Sequence, residues 1–311
     1  MKVLVGVDGS SNSFAAVQFA ARLLSPNRDE LIFLYAVPTA SVGHEPLDST
    51  VLVRARTALS QAVFDEAARR LPAAWQSKIE RVEMSGPAGA ALLDAAAERS
   101  VDLVVVGFRG TGFFERFVLG SVSRTVVHSA TVPVLVVKGE ASDEGVTEEP
   151  ARAAEGSFQA LAAYSGPVSL GERIAAVAGQ ISWPADAEGT VMTVVQPMSL
   201  EELPDWLKPQ QRDPDVAAMA EAWRKEHEEM VQAARREVEM FQAMLPECFR
   251  TTAPTVVEGR PAEKILAQLH EAPFDLVIVG SRGTGRVARL LVGSTSEQVL
   301  SKAPCSVLIA R

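Results

Sequence analysis

A chain of 311 residues, 47% hydrophobic and 22% charged, suits a soluble globular protein with two cores of about 150 residues each. Its net charge of −9 argues against a broad nucleic-acid or anionic-membrane surface. Cys248 and Cys305 make neither a disulfide framework nor a metal-ligand spacing, which points to a reducing cytosol, and no apolar run approaches the roughly 18 residues that span a bilayer.

The opening "MKVLVGVDGSS" reads as a strand, without the apolar core and cleavage site of a leader. Periodicity then predicts a helix over Phe14–Leu24, a strand in "ELIFLYAV", an amphipathic helix over Val51–Leu71, an alternating strand in "KIERVEM" and a helix over Ala88–Arg99. "DLVVVG" is apolar almost throughout, as a strand buried on both faces should be. A glycine-rich loop follows it, then a helix over Ser121–Ser129 and a strand in "VPVLVVK". The acid-, Gly- and Pro-rich stretch 140–156 reads as a linker between a first domain, 1–139, and a second, 157–311. That second domain repeats the order: "FQALAAYS", a helix near Glu172–Ile181, "TVMTVV", a helix over Asp215–Met244, "TAPTVVE", a helix over Ala262–Glu271, "DLVIVG", a glycine loop with its helix, and "SVLIA". Residues 199–215, rich in proline, are either a lid or an insertion. Strands alternating with helices at this spacing make a parallel sheet covered on both faces.

The two glycine loops are copies of each other. Laying Gly280 on Gly107, 173 residues earlier, makes eight of the fifteen positions from Gly107 to Ser121 identical, and Ser123/Ser296 and Ala130/Ala303 follow in register. A repeat of this length is one domain used twice. Glycines let a backbone turn sharply and expose its amides, and a helix that starts at Gly-Ser offers free N–H groups and a positive dipole end to a phosphate.

The spacing Gly-x2-Gly-x9-Gly-Ser, in Gly107, Gly110, Gly120 and Ser121 and again in Gly280, Gly283, Gly293 and Ser294, resembles the nucleotide-binding signature of the ATP-binding branch of the universal stress protein family. The resemblance spans essentially the whole chain as a tandem pair. It implies an α/β fold of two tandem doubly wound five-stranded parallel-sheet domains, Rossmann-like and similar to the adenine nucleotide alpha hydrolases. It also implies ATP at the carboxyl edge of the sheet, with magnesium carried on its phosphates. Pairing through the last strands would then occur inside one chain, with a further homodimer left open.

By the same resemblance Asp8 meets the ribose or adenine with Val7 beside it, and Ala36 meets the adenine through its backbone. Val106 and Gly107 line base and ribose, and Gly110, Gly120, Ser121 and Val122 receive the phosphates. A carboxylate accepts two hydroxyl hydrogen bonds, which suits a ribose diol; the other reading of Asp8 is a cap on the helix after "DGSSNS". The second copy carries Ser165, preceded by Tyr164, where the first has Asp8. Its site comprises Ser165, Val195, Val279, Gly280, Gly283, Gly293, Ser294 and Thr295. Tyr164 either reshapes that pocket or belongs to the core. Arg109 and Arg282 are read as phosphate contacts or as surface charge, Arg116 and Arg289 as interface or surface.

His44, His128, His227 and His270 share no spacing that suggests a metal or a triad, and no GxxxxGK[ST] loop is present. The expectation is a cytoplasmic ATP-binding protein of stress response or regulation, with slow or no hydrolysis, no nucleic acid and no membrane. The alternatives are a nucleotide-free dimeric interaction protein and a slow ATPase.

Overall fold

Residues 1–37, 49–109, 119–139, 157–196, 214–281 and 293–311 are described in the computed structural model, and they form ten strands and eight α-helices. The first half runs β1 (Lys2–Gly6), α1 (Ser11–Arg22), β2 (Glu30–Val37), α2 (Ser49–Arg69), β3 (Ile79–Ser85), α3 (Ala88–Glu98), β4 (Leu103–Gly107), α4 (Ser121–Ser129) and β5 (Val134–Val137). The second runs β6 (Gln159–Tyr164), α5 (Val168–Gln180), β7 (Glu188–Val195), α6 (Pro214–Met244), β8 (Thr255–Glu258), α7 (Pro261–Glu271), β9 (Leu276–Gly280), α8 (Ser294–Lys302) and β10 (Ser306–Ala310). All eighteen correspond to predicted elements. The clearest shift is α5, which starts four residues early: Gly166 turns with φ +134°, Pro167 enters extended, and Leu170 already packs into the core from the first turn.

The strands form one sheet in the order β3-β2-β1-β4-β5-β10-β9-β6-β7-β8. Pairing is parallel within each half and antiparallel only between β5 and β10. Helices α1, α2, α5 and α6 cover one face, and α3, α4, α7 and α8 cover the other. Every residue of β4 and β9 is buried, which explains their unbroken apolar sequence.

Leu135 pairs with Leu308, its own equivalent in the repeat, so a local twofold axis passes between them. The expected internal pairing through the last strands is therefore present, and it removes two open sheet edges. The cation after each last strand reaches across the axis. Lys138 Nζ donates to the carbonyls of Ala303 (2.6 Å) and Ser301 (3.4 Å) at the end of α8, and Arg311 Nη2 donates to Val127 near the end of α4. Each half thus supplies a positive group to the C-terminal carbonyls of the other half's helix, where the helix dipole favours it. On the opposite face Ser182 N–H donates to the Leu23 carbonyl at 2.9 Å, and Phe19 meets Phe158 with ring centroids 5.8 Å apart.

Burial pulls Lys138 from 10.5 down to about 8; Cys305 pulls it back upward and Arg109 pushes it further down. Between about pH 8 and 10.5 the unfolded chain holds this proton more tightly than the folded one, so stability rises with pH across that window, and below it the cost of the buried charge is fully present. Lys138 is expected to contribute about 2 kcal/mol of stabilisation between pH 8 and pH 10. Urea unfolding at the two pH values should show that rise in the wild type and its loss in Lys138→Met.

Candidate functional site

The strand order reverses where β1 stands between β2 and β4, the place at which open α/β sheets hold ligands beyond their carboxyl ends. Asp8 leaves β1 at this edge, followed by Gly9 at φ +85°, a left-handed turn that glycine adopts without strain. Asp8 Oδ1 accepts from the Ser10 N–H (2.9 Å) and the Ser10 hydroxyl (2.6 Å). Ser10 in turn caps α1 by accepting from Ser13 N–H at 3.1 Å. The carboxylate therefore holds the turn indirectly through Ser10. Asp8 is exposed, and its Oδ2 has no partner among the described residues.

Gly107, at the end of β4, has a packing reason to be glycine. A Cβ there would lie 2.8 Å from the backbone C and O of Asn12 in the first turn of α1. Two bonds fix the start of α4 against the same strand end. Gly120 N–H donates to the Phe108 carbonyl at 2.9 Å, and the buried Ser123 hydroxyl donates to the Gly107 carbonyl at 2.6 Å. Gly120 takes the N-cap place of α4, and no side chain caps the helix there. The first-turn amides at Ser121 and Val122 have no acceptor within the helix. A helix start without an N-cap side chain, bonded to the end of β4, and a carboxylate at the end of the neighbouring β1 suit a ligand with an anionic tail and a hydroxyl-bearing body.

The other predicted residues take lesser parts. Val7 (2% exposed) and Val106 (3%) bury their side chains in opposite cores, so only their backbones border the edge. Ala36 is half-buried near the end of β2. Arg109 is half-buried, its guanidinium 5.8 Å from the Phe108 ring centroid, and Lys138 Nζ lies 4.5 Å from that ring. Gly110, Arg116, Arg282, Gly283 and Arg289 fall outside the described residues, as do linker 140–156 and most of 199–215.

The second half repeats the frame and changes the polar groups. Ser296 hydroxyl donates to the Gly280 carbonyl at 2.7 Å, and Gly293 stands as an N-cap without a side-chain cap on α8. Gly280 faces Leu170 rather than a backbone: a Cβ would lie 2.1 Å from Leu170 Cδ1. Val279 is buried like Val106, Ser294 is exposed and Thr295 half-buried. The register makes Val7 equivalent to Tyr164, Asp8 to Ser165, and Ala36 to Val194. Val195 is thus not the counterpart of Ala36. It matches Val37, and its carbonyl is taken on the β8 side by Gly259 N–H at 2.9 Å, as that of Val37 is by Gly86. Tyr164 is a core residue: 4% exposed, its ring sits edge-on to Phe241 at 4.9 Å.

Four polar residues escaped the sequence reading of roles. Ser123 and Ser296 stood out only as repeated letters, while Lys138 and Arg311 occupy equivalent places without being chemically identical. The partners of all four are backbone carbonyls, which leave no trace in side-chain patterns. Two histidines meet a carboxylate, His128 reaching Glu297 in the other half (3.4 Å) and His227 meeting Glu258 (2.9 Å), while His270 is exposed and His44 lies outside the described residues. Among the described residues no three His, Cys, Asp or Glu gather as a metal site, and no helix is long and apolar enough to cross a membrane. Burial pushes the Cys305 thiol up to about 12.

Residues 1–138 and 185–311 match the universal stress protein family. A universal stress protein of Mycolicibacterium smegmatis is 27% identical over 318 aligned positions, covering 99% of this chain and 96% of its own. One from Mycobacterium tuberculosis is 28% identical over 315, with the same coverage. Among solved structures, a universal stress protein from Archaeoglobus fulgidus superposes with a TM-score of 0.64 at 21% identity, covering 100% of this chain and 98% of that one. That likeness speaks for the fold.

Proposed function

The chain belongs to the universal stress protein family, and from that premise we propose that its first half binds ATP at the carboxyl edge of β1 and β4. Residues 1–139 and 157–311 are then its two domains, joined by 140–156. The observation that carries the reading is the uncapped start of α4, braced by Ser123 on the end of β4 and facing the same edge as Asp8. Its amides suit the phosphates, with magnesium arriving on them, and the open Oδ2 of Asp8 suits the ribose diol. Ala36 offers backbone groups to the base.

The protein is proposed as a cytoplasmic binding and regulatory component of stress response rather than an enzyme. The sequence has no P-loop, and Asp8 and the amides at the start of α4 would hold a ligand without activating water. Purified protein, denatured and examined by mass spectrometry, is expected to release ATP, and titration with ATP–Mg should give saturable binding. Asp8→Asn keeps an oxygen for Ser10 but puts a donor where the diol needs an acceptor. It should weaken ATP about 10- to 100-fold, the worth of roughly 1.5–3 kcal/mol for a hydrogen bond to a charged group. Absence of released nucleotide together with no thermal shift at millimolar ATP–Mg would leave the nucleotide-free interaction protein as the reading, and steady turnover would make it an ATPase.

A further inference from the structure

The two halves share their frame but not their chemistry at one atom. Ser165 Oγ donates to the Val194 carbonyl at 2.9 Å. In the first half the equivalent carbonyl belongs to Ala36 and the equivalent side chain is the Asp8 carboxylate, which has no proton to give. In a parallel strand each residue turns its N–H and C=O to the same neighbour, alternating along the chain. The Leu34 carbonyl accepts from Val7 N–H at 2.9 Å, so Ala36, two residues on, turns its carbonyl to the β1 side, just past the last paired residue of β1.

We propose that Ser165 closes the second cleft to nucleotide, so that the chain binds a single ATP, held by the first half. The inference rests on the nucleotide reading of Asp8 and Ala36 given above. The serine acts twice. It removes the charged acceptor that suits a ribose diol, and its hydroxyl takes the carbonyl that would otherwise accept from an amine on the base. The register that makes Tyr164 a core residue fixes Ser165 at this edge, and Gly166, at φ +134°, matches Gly9. A nucleotide entering the second cleft meets a Val194 carbonyl that already accepts from the Ser165 hydroxyl, and it finds no carboxylate. Two such losses weaken that site by at least about a hundredfold relative to the first.

Equilibrium dialysis with labelled ATP–Mg, carried out on the full chain, should count one nucleotide per chain. Asp8→Asn should weaken that one. Ser165→Asp frees the Val194 carbonyl and restores the acceptor, and a second equivalent should then bind with its affinity raised at least about tenfold. Ser165→Ala frees the carbonyl alone, and a smaller gain is expected; it decides the matter if the aspartate variant does not fold. Two equal sites in the wild type would overturn the inference and leave the nucleotide reading standing. A folded Ser165→Asp protein that still binds only one would remove Ser165 from the role. No binding to the wild type at all would overturn both.

Discussion

Gly120→Asp is expected to leave the protein as stable as the wild type, or more stable by a few tenths of a kcal/mol, and to weaken ATP by more than about a hundredfold. Side-chain oxygens at an N-cap accept hydrogen bonds from the first-turn amides, which is why Ser, Thr, Asn and Asp predominate there. Helix α1 follows that rule with Ser10, whereas α4 and α8 have glycine, Gly120 and Gly293, at the N-cap and so no N-cap side chain to serve their amides. Gly120 has φ −58° and ψ 151°, values that any residue can adopt, so its glycine is not required by backbone strain. A Cβ there would stand 3.3 Å from the Phe108 carbonyl oxygen and 3.4 Å from Arg109 Cα, tight but open to small adjustment. An aspartate would therefore cap the helix, occupy the amides and set a negative charge where a triphosphate is proposed to lie. Gly120→Ala supplies the steric control, since it adds the Cβ without the oxygen and should change affinity only a few-fold. Urea unfolding and calorimetric titration read the two halves of the expectation separately. If Gly120→Asp folds and binds ATP like the wild type, the phosphates do not lie at α4.

Much of this frame can be read in the sequence because it depends on burial. The stretches "DLVVVG" and "DLVIVG" are apolar at almost every position because both faces of β4 and β9 are covered, and the eight-residue identity between the loops locates the repeat. Pairing register is less visible. Between β1 and β2 the second half has gained one residue, so the offset is 157 at Asp8 and Ser165 but 158 at Ala36 and Val194. The extra residue lies in α5, 13 residues long against the 12 of α1, and a one-residue change of offset turns every later equivalence to the other face. The contrast between Asp8 and Ser165 was legible as a letter. Its consequence was not, because the acceptor is a main-chain carbonyl on a neighbouring strand. The cations joining the halves were hidden for the same reason.

Removing the Phe249 ring should destabilise the second half by about 3–5 kcal/mol, the usual cost of Phe→Ala in a closed core. Phe249 ends the 3-10 turn Glu247–Phe249, is fully buried, and meets Trp183 edge-on with centroids 5.1 Å apart. Its ring lies flush on Gly189 of β7, where a Cβ would come within 2.3 Å of ring carbon Cδ1. The register makes Leu31 the first-half counterpart of Gly189, and there a leucine side chain fills the layer. Gly189→Ala alone must therefore push a ring that Trp183 already confines, an overpacking worth about 1–3 kcal/mol. Once the ring is gone the same methyl group meets no obstacle and fills part of the hole. The double variant should thus be less destabilised than the sum of the singles, by about 0.5–3 kcal/mol. Denaturant unfolding of the four proteins measures that coupling, and strict additivity would mean that ring and glycine do not share the space. Since β7 and Phe249 belong to the far side of the sheet from β1 and β4, ATP affinity below the unfolding transition should stay at the wild-type value in all four. A parallel fall in affinity would instead place the nucleotide in the second half, against both the open carboxylate of Asp8 and the occupied carbonyl of Val194.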